Sequence, residues 1–504
     1  MPRFPKIAAA ATAATVAAAL VAGLGGCRGK GDGPLDVVVL GTPRSVFETG
    51  PRLSPAGQLV RSATTEGLVG FDELGRVVPA LADRWIVTDD GQSYIFRLRD
   101  GTWPDGTALT GESARAALRQ ALDAVEGTSL ALDLANIDDI RAMAGRVVEI
   151  RLAQPVPDFL QLLAQPELGL VRAGKGGGPM TLKQSGMIAL LTPIAPEKRG
   201  MPARDDWAGS IRTLRLRALP AAAAVDLFDR GDVDVVLGGR IEQFPRTTMA
   251  SLSRGTIRID PALGLFGLFV ARPQGVLASA ENREAVAMAI DRDALITAFG
   301  VGGWTPSTRI LPPAIAPTPA PASGTAAATG AERWANLNIA ARRAQAAARI
   351  ARYRAAHGKI AQISVDLPAG PGRDVLFGRL RDDLATIGLE LVLARDSASA
   401  DLRLFDVVAR YPSAVWFFNQ LSCTTQHGLC SAAADTLVAS AAAEPDPARR
   451  AALIAQAEDT LIAANLFIPF GAPVRWSLVR AAVTGFAANP WGFHPLLPLA
   501  MIAK

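Results

Sequence analysis

Histidine is scarce in this chain of 504 residues: His357, His427 and His494 are the whole supply. No Gly-x-Ser-x-Gly elbow and no His-Glu-x-x-His helix occurs, so the usual constellations of serine and zinc hydrolases are missing. Cysteine is equally rare, at Cys27, Cys423 and Cys430. Cys423, His427 and Cys430 could offer three metal ligands from one segment, but no second cluster completes the set. Aromatic residues make up 6% of the chain, and Lys and Arg are scattered through a formal balance of +5. Neither the stacking platform nor the massed basic footprint of a nucleic-acid binder is present. There is no internal repeat.

What the chain does have begins at its N-terminus. Arg3 and Lys6 precede an uncharged Ala/Val/Leu run from Ile7 to Leu24, which ends in Leu24-Gly25-Gly26-Cys27. The run is long enough to span a bilayer. Its small-residue composition and its ending are instead similar to a bacterial lipoprotein signal, cleaved before Cys27 so that the thiol carries a lipid anchor. Export leaves Cys423 and Cys430 as a pair in a short segment, where an oxidising compartment favours a disulfide; the alternative is the three-ligand metal site with His427. The rest of the chain exceeds what one core usually organises, so two or more lobes are expected.

Along the chain, Leu35 to Leu40 reads as a buried strand and Gln58 to Leu68 as a helix. Tyr94, Phe96 and Leu98 alternate with polar neighbours after the turn at Asp90-Gly91, giving a hairpin. Asp100-Gly101 and Asp105-Gly106 are two further turns, and Thr110 is the expected N-cap of the next helix. Val225 to Gly231 reads as a helix ended by glycine before a strand over 232–237. A single helix is expected from Glu284 to Phe299, a long surface loop from Trp304 to Gly330, and a helix from about Ala331 to Ala356. Strand, helix and strand then alternate over 360–393, which is an α/β pattern.

Gly169 to Lys175 has the spacing of a phosphate-binding loop, but Gly176 stands where Ser or Thr should hold magnesium. A glycine-rich surface loop through Gly178 is the expectation, and no cofactor is implied. Asp138-Asp139 and Asp382-Asp383 read as surface charges, because adjacent residues point in different directions.

The block from Thr65 to Leu118 carries Glu66-Gly67-Leu68-Val69, Val78-Pro79-Ala80-Leu81-Ala82, Trp85, Asp89-Asp90-Gly91, Leu98-Arg99-Asp100-Gly101 and Trp103-Pro104-Asp105-Gly106-Thr107. In order and spacing it resembles the extracellular solute-binding proteins of the peptide and nickel importer family, family 5. Gly231-Asp232-Val233-Asp234, Asn282 to Arg292 and Asp382 to Leu389 extend the likeness over most of the chain. The resemblance implies an α/β fold of the large, cluster C-like periplasmic-binding-protein type II: two lobes, a hinge and an extra subdomain. The implied division is a signal peptide over 1–26, a linker over 27–33, lobe I over 34–62 and 165–263 with an inserted subdomain over 63–164, lobe II over 264–470, and a return to lobe I over 471–504. It also implies a monomer without enzymatic activity that passes a peptide or peptide-like solute to ABC permease and ATPase subunits. The rival readings are an exported hydrolase and a sensory or structural lipoprotein.

Many peptide binders of this family carry a segment resembling Trp-x-Ala-Asp-Tyr-Pro-Asp, whose first Asp meets the ligand ammonium. The matching stretch here is Val407-Val408-Ala409-Arg410-Tyr411-Pro412-Ser413, with arginine in place of the acid. Either Arg410 faces the cleft and pairs with an anionic ligand group, with Tyr411, Trp416 or Phe417 as walls, or it pairs with a carboxylate such as Asp406 while the aromatics are core. A shift of a few residues would make Asp406 the ammonium partner instead.

Overall fold

The structure is a computed structural model and describes residues 33–250, 252, 255–316, 332–358 and 361–502. The signal segment, Cys27 and residues 317–330 of the Pro- and Ala-rich stretch lie outside them. Among the described residues no helix is long and apolar enough to cross a membrane.

Leu35–Leu40 is apolar along nearly its whole length because it is a central strand, paired in parallel with Leu214–Leu219 on one side and Val235–Arg240 on the other. Val37, Val38 and Val39 are fully buried, as a strand covered on both faces requires. The sheet has seven strands, in the order Met180–Ser185, Ile188–Pro193, Leu214–Leu219, Leu35–Leu40, Val235–Arg240, Arg475–Val479, Ile257–Asp260. A second sheet of five runs Leu389–Leu393, Ala361–Asp366, Leu402–Val408, Gly264–Val270, Phe467–Gly471. A third, of four antiparallel strands between Ala82 and Leu152, belongs to a smaller body beside the first sheet.

Local chemistry sets several boundaries. Helix Pro55–Thr64 starts before the expected Gln58, because Ser54 caps it and Pro55 fills the first helical position; it ends at Thr65 rather than at Leu68. Thr110 caps helix Gly111–Ala124 through a reciprocal bond with Ser113. The single helix expected over Glu284 to Phe299 is two, Ala280–Ala289 and Arg292–Phe299. Asp291 leaves helical geometry so that its carboxylate accepts from Ala294 N at 3.0 Å, and buried Arg292 donates to the carbonyls of Ala287 and Pro469. The later helix begins at Ile339, where Asn338 caps it, not near Ala331.

Two other expectations are corrected. The glycine-rich segment is a small hairpin, Val171–Arg172 against Lys175–Gly176, turned at Ala173 and Gly174 with positive φ. Strand Met180–Ser185 follows it, so no helix N-terminus stands where a phosphate would sit. Asp383 is not a surface charge: it is buried, accepts from Asp291 N at 2.9 Å and pairs with Arg343.

The chain crosses between the large sheets twice, from Ile257–Asp260 to Gly264–Val270 and from Phe467–Gly471 to Arg475–Val479. Each crossing is short enough to act as a hinge strand. Gly264 is required at the first: its φ is +152° and a Cβ there would lie 2.1 Å from the Val407 carbonyl oxygen. The core of the smaller body continues into Tyr411, Trp416 and Phe417 of the second lobe, and Leu263 of the first crossing packs against the same cluster.

Candidate ligand-binding cleft

A cavity of about 370 Å³ lies between the lobes and beside both crossings. The first sheet contributes Val39, Leu237 and Arg240, the second crossing Arg475, and the second lobe the run Val407 to Arg410 with Trp416 and Gln420. A larger cavity of about 1130 Å³ is lined wholly by residues between Val46 and Arg199, within the first lobe and its smaller body. The second lobe contributes nothing to the lining of that cavity, whereas both lobes line the cleft.

Asp406 sits in strand Leu402–Val408 and is 8% exposed. Its Oδ1 accepts from Arg475 Nη1 at 2.8 Å, and its Oδ2 lies 3.8 Å from Arg240 Nε. Its main-chain oxygen accepts from Arg240 at 2.9 Å. Burial holds the Arg475 guanidinium below its ordinary pKa, with Asp406 opposing the shift. Two arginines thus surround this carboxylate, and Arg475 joins the strand after the second crossing to the second lobe. Asp406 does not line the cavity. Glu242, also buried behind the wall, has its pKa raised by burial and then by the charge of Asp406.

Arg410 meets a carboxylate, as one of the two readings above has it, but the carboxylate is Asp133 and not Asp406. Once Ala409 N has bonded the Leu263 carbonyl at 2.7 Å, the chain leaves the strand and turns toward the smaller body. Arg410 Nη1 donates to Ser129 Oγ at 3.2 Å and lies 3.7 Å from Asp133 Oδ2. Its side chain is 25% exposed and lines the cavity.

Asp133 is the acid that sequence reasoning missed. Its Oδ1 accepts from Asn419 Nδ2 at 2.8 Å and from the Tyr411 hydroxyl at 3.2 Å. Burial pushes its pKa up to about 6, opposed first by the Asn419 bond and then by Arg410. Burial, followed by the charge of Asp133, raises the Tyr411 phenol well above its ordinary value, so it stays a neutral donor. Tyr411 and Phe417 are therefore core residues and not cavity walls. Trp416 does line the cavity, with the Phe417 ring perpendicular to its own at 5.0 Å between centroids.

Cys423 and Cys430 form a disulfide, with Cα atoms 5.1 Å apart. Its sulfurs are not thiolates, which removes the metal alternative with His427. His427 packs against Phe269 and Phe405, and burial lowers its pKa.

Arg240, Arg475 and Asp133 carried weak signals. Arg475 is a lone cation in the apolar strand Arg475–Val479, and Arg240 ends a strand after two glycines. Asp133 closes a five-residue helix, and nothing local distinguishes it.

The model of the bacterial extracellular solute-binding proteins, family 5 Middle, matches residues 76–350. The chain belongs to that family, a family of solute-binding rather than catalytic proteins. Its fold is the mixed α/β fold of the large periplasmic binding proteins: the Escherichia coli murein tripeptide binding protein MppA superposes with a TM-score of 0.77 at 18% identity, over 94% of this chain and 100% of that one. Among curated proteins, the probable deoxycholate-binding periplasmic protein YgiS of E. coli strain K12 is 27% identical over 285 residues, 50% of this chain and 52% of that protein. The glutathione-binding protein GsiB of the same strain is 25% identical over 297 residues, 56% of each. The chain thus spans about half the length of the curated relatives it matches.

Proposed function

We propose that this protein is the solute-capturing component of an ABC importer, closing two lobes around a small anionic solute of peptide-like size that lacks a free ammonium. One observation carries the choice of ligand charge: Arg240, Arg410, Arg475 and His494 line the cleft, and among the described residues no Asp or Glu does. The carboxylates that neutralise the arginines lie behind the wall, so the charged groups on the side of the ligand are guanidiniums. A guanidinium fork suits a carboxylate and repels an ammonium. Deoxycholate, the ligand in the name of one relative, carries a carboxylate on an apolar skeleton and matches this wall and its aromatic neighbours Phe71, Trp491 and Phe493. Glutathione, in the name of another, adds an ammonium for which the wall has no partner.

The lobes are taken to divide at 263 and 470, with the body over 63–164 moving with the first. Cys27, as the lipid-bearing N-terminus of the mature protein, would hold it in the periplasm at a bacterial membrane, as a monomer presented to permease and ATPase subunits. Lipid labelling that persists in Cys27→Ser would overturn the anchor.

Thermal shift with four solutes tests the ligand class: deoxycholate, glutathione, dialanine and N-acetyl-dialanine. The amine-free anions should raise the melting temperature and dialanine should not. Stronger stabilisation by dialanine than by its acetylated form would sink the anionic reading, and consumption of a solute during the assay would point to an enzyme.

A further inference from the structure

Helix Ala414–Asn419 and its cap residue Gln420 contribute two residues to the cleft lining, Trp416 and Gln420, each with a buried nitrogen that lacks a partner. Trp416 and Gln420 are four residues apart and so share one face. They are 1% and 5% exposed. Neither Trp416 Nε1 nor Gln420 Nε2 makes a hydrogen bond among the described residues. An indole N–H can only donate, and burying it without an acceptor costs stability unless something else supplies one. The perpendicular ring of Phe417 packs against the indole, which restricts any swing toward water.

Arg410 stands six residues earlier on the same wall. Its Nη1 is directed at Ser129 and Asp133, and the rest of its fork makes no hydrogen bond among the described residues. Three side chains with donor groups therefore line the cavity from one segment of the second lobe. A carboxylate offers two acceptor oxygens and no donor, whereas a carboxamide offers one acceptor oxygen and sets its own N–H groups against the remaining donors.

We propose that Arg410, Trp416 and Gln420 form a carboxylate cradle in which the Trp416 indole N–H and the Gln420 amide each donate to the ligand, setting a preference for a free carboxylate over its amide. This rests on the anionic-solute reading above and assigns the selectivity to two uncharged residues.

The test uses N-acetyl-dialanine and its C-terminal amide as matched probes, titrated calorimetrically into the mature protein and into Trp416→Phe and Gln420→Met. The wild type should favour the acid. Trp416→Phe should cut the acid-to-amide preference by about tenfold, the scale of one hydrogen bond to a charged group. Gln420→Met should cut it in the same direction, and it carries the test alone if the tryptophan variant does not fold. In ¹⁵N-labelled protein, the indole resonance missing from Trp416→Phe should move on addition of the acid and stay in place with the amide. An unchanged preference in both variants would overturn the cradle while leaving anion capture by arginine intact. If neither N-acetyl-dialanine nor deoxycholate binds the wild type, the anionic reading falls and the cradle with it.

Discussion

Asp133 joins the smaller body to the second lobe through Tyr411, Asn419 and Arg410, and it does so from a site where its charge is poorly solvated. With its pKa pushed up to about 6, the folded chain keeps a proton near pH 5 that the unfolded chain has released. Its contribution to stability is full below about pH 4 and is lost as the pH rises through 6, a change on the order of 3 kcal/mol. Asp133→Asn should flatten that part of the stability profile in urea titrations run from pH 4 to 7. A second residue-scale contrast sets Asp406, behind the cleft wall, against Arg410, which lines it. Asp406→Ala strands the buried guanidinium of Arg475, and should cost about 3–5 kcal/mol of folding stability. Arg410→Ala faces the cavity instead, and should cost about 2–5 kcal/mol of affinity for an anionic solute with a smaller effect on folding. Equal losses of folding stability in both variants would show that Arg410 is structural.

Among the elements, the short helix Ala414–Asn419 carries the most, because it packs on helix Ser129–Asp133 across the lobe boundary and presents Trp416 and Gln420 to the cleft. Its C-terminal side runs straight into the disulfide segment, where Cys423 N donates to the Asp435 carboxylate at 3.0 Å and Leu429 N to the Val270 carbonyl at 2.8 Å. The bridge closes a short loop, and a chain-entropy argument puts its worth at about 2 kcal/mol. Reduction should therefore lower the unfolding free energy by about that amount, and alkylation without prior reduction should leave Cys423 and Cys430 unmodified. Free thiols in the oxidised mature protein would contradict the bridge.

At the scale of the whole molecule, two crossings with a glycine fixed at one of them, and a cleft lined from both lobes, make closure the expected response to ligand. Mass action sets its size: a solute at a hundred times its dissociation constant should add about 2.7 kcal/mol to stability. Small-angle scattering should show a smaller radius of gyration at the same concentration. A solute that stabilises the chain without compacting it would place its site elsewhere, and the cavity of about 1130 Å³ within the first lobe would be the next to examine.

The fold was largely legible in the sequence because its determinants are local. The continuous run Leu35–Leu40 reports a strand covered on both faces, and the turn at Trp103 to Thr107 is closed by Gly106 N on the Trp103 carbonyl at 2.9 Å. Thr110 announces its helix by a side chain that reaches three residues. The arginine in place of the family acid was legible too, since it is a matter of residue identity. What Arg410 meets was not. Its neighbours Ser129 and Asp133 come from the smaller body, some 280 positions earlier, and Asp406 takes Arg475 from 69 positions later. A carboxylate chooses between guanidiniums by distance and by how much water each loses. Both quantities exist only once the lobes have been brought together.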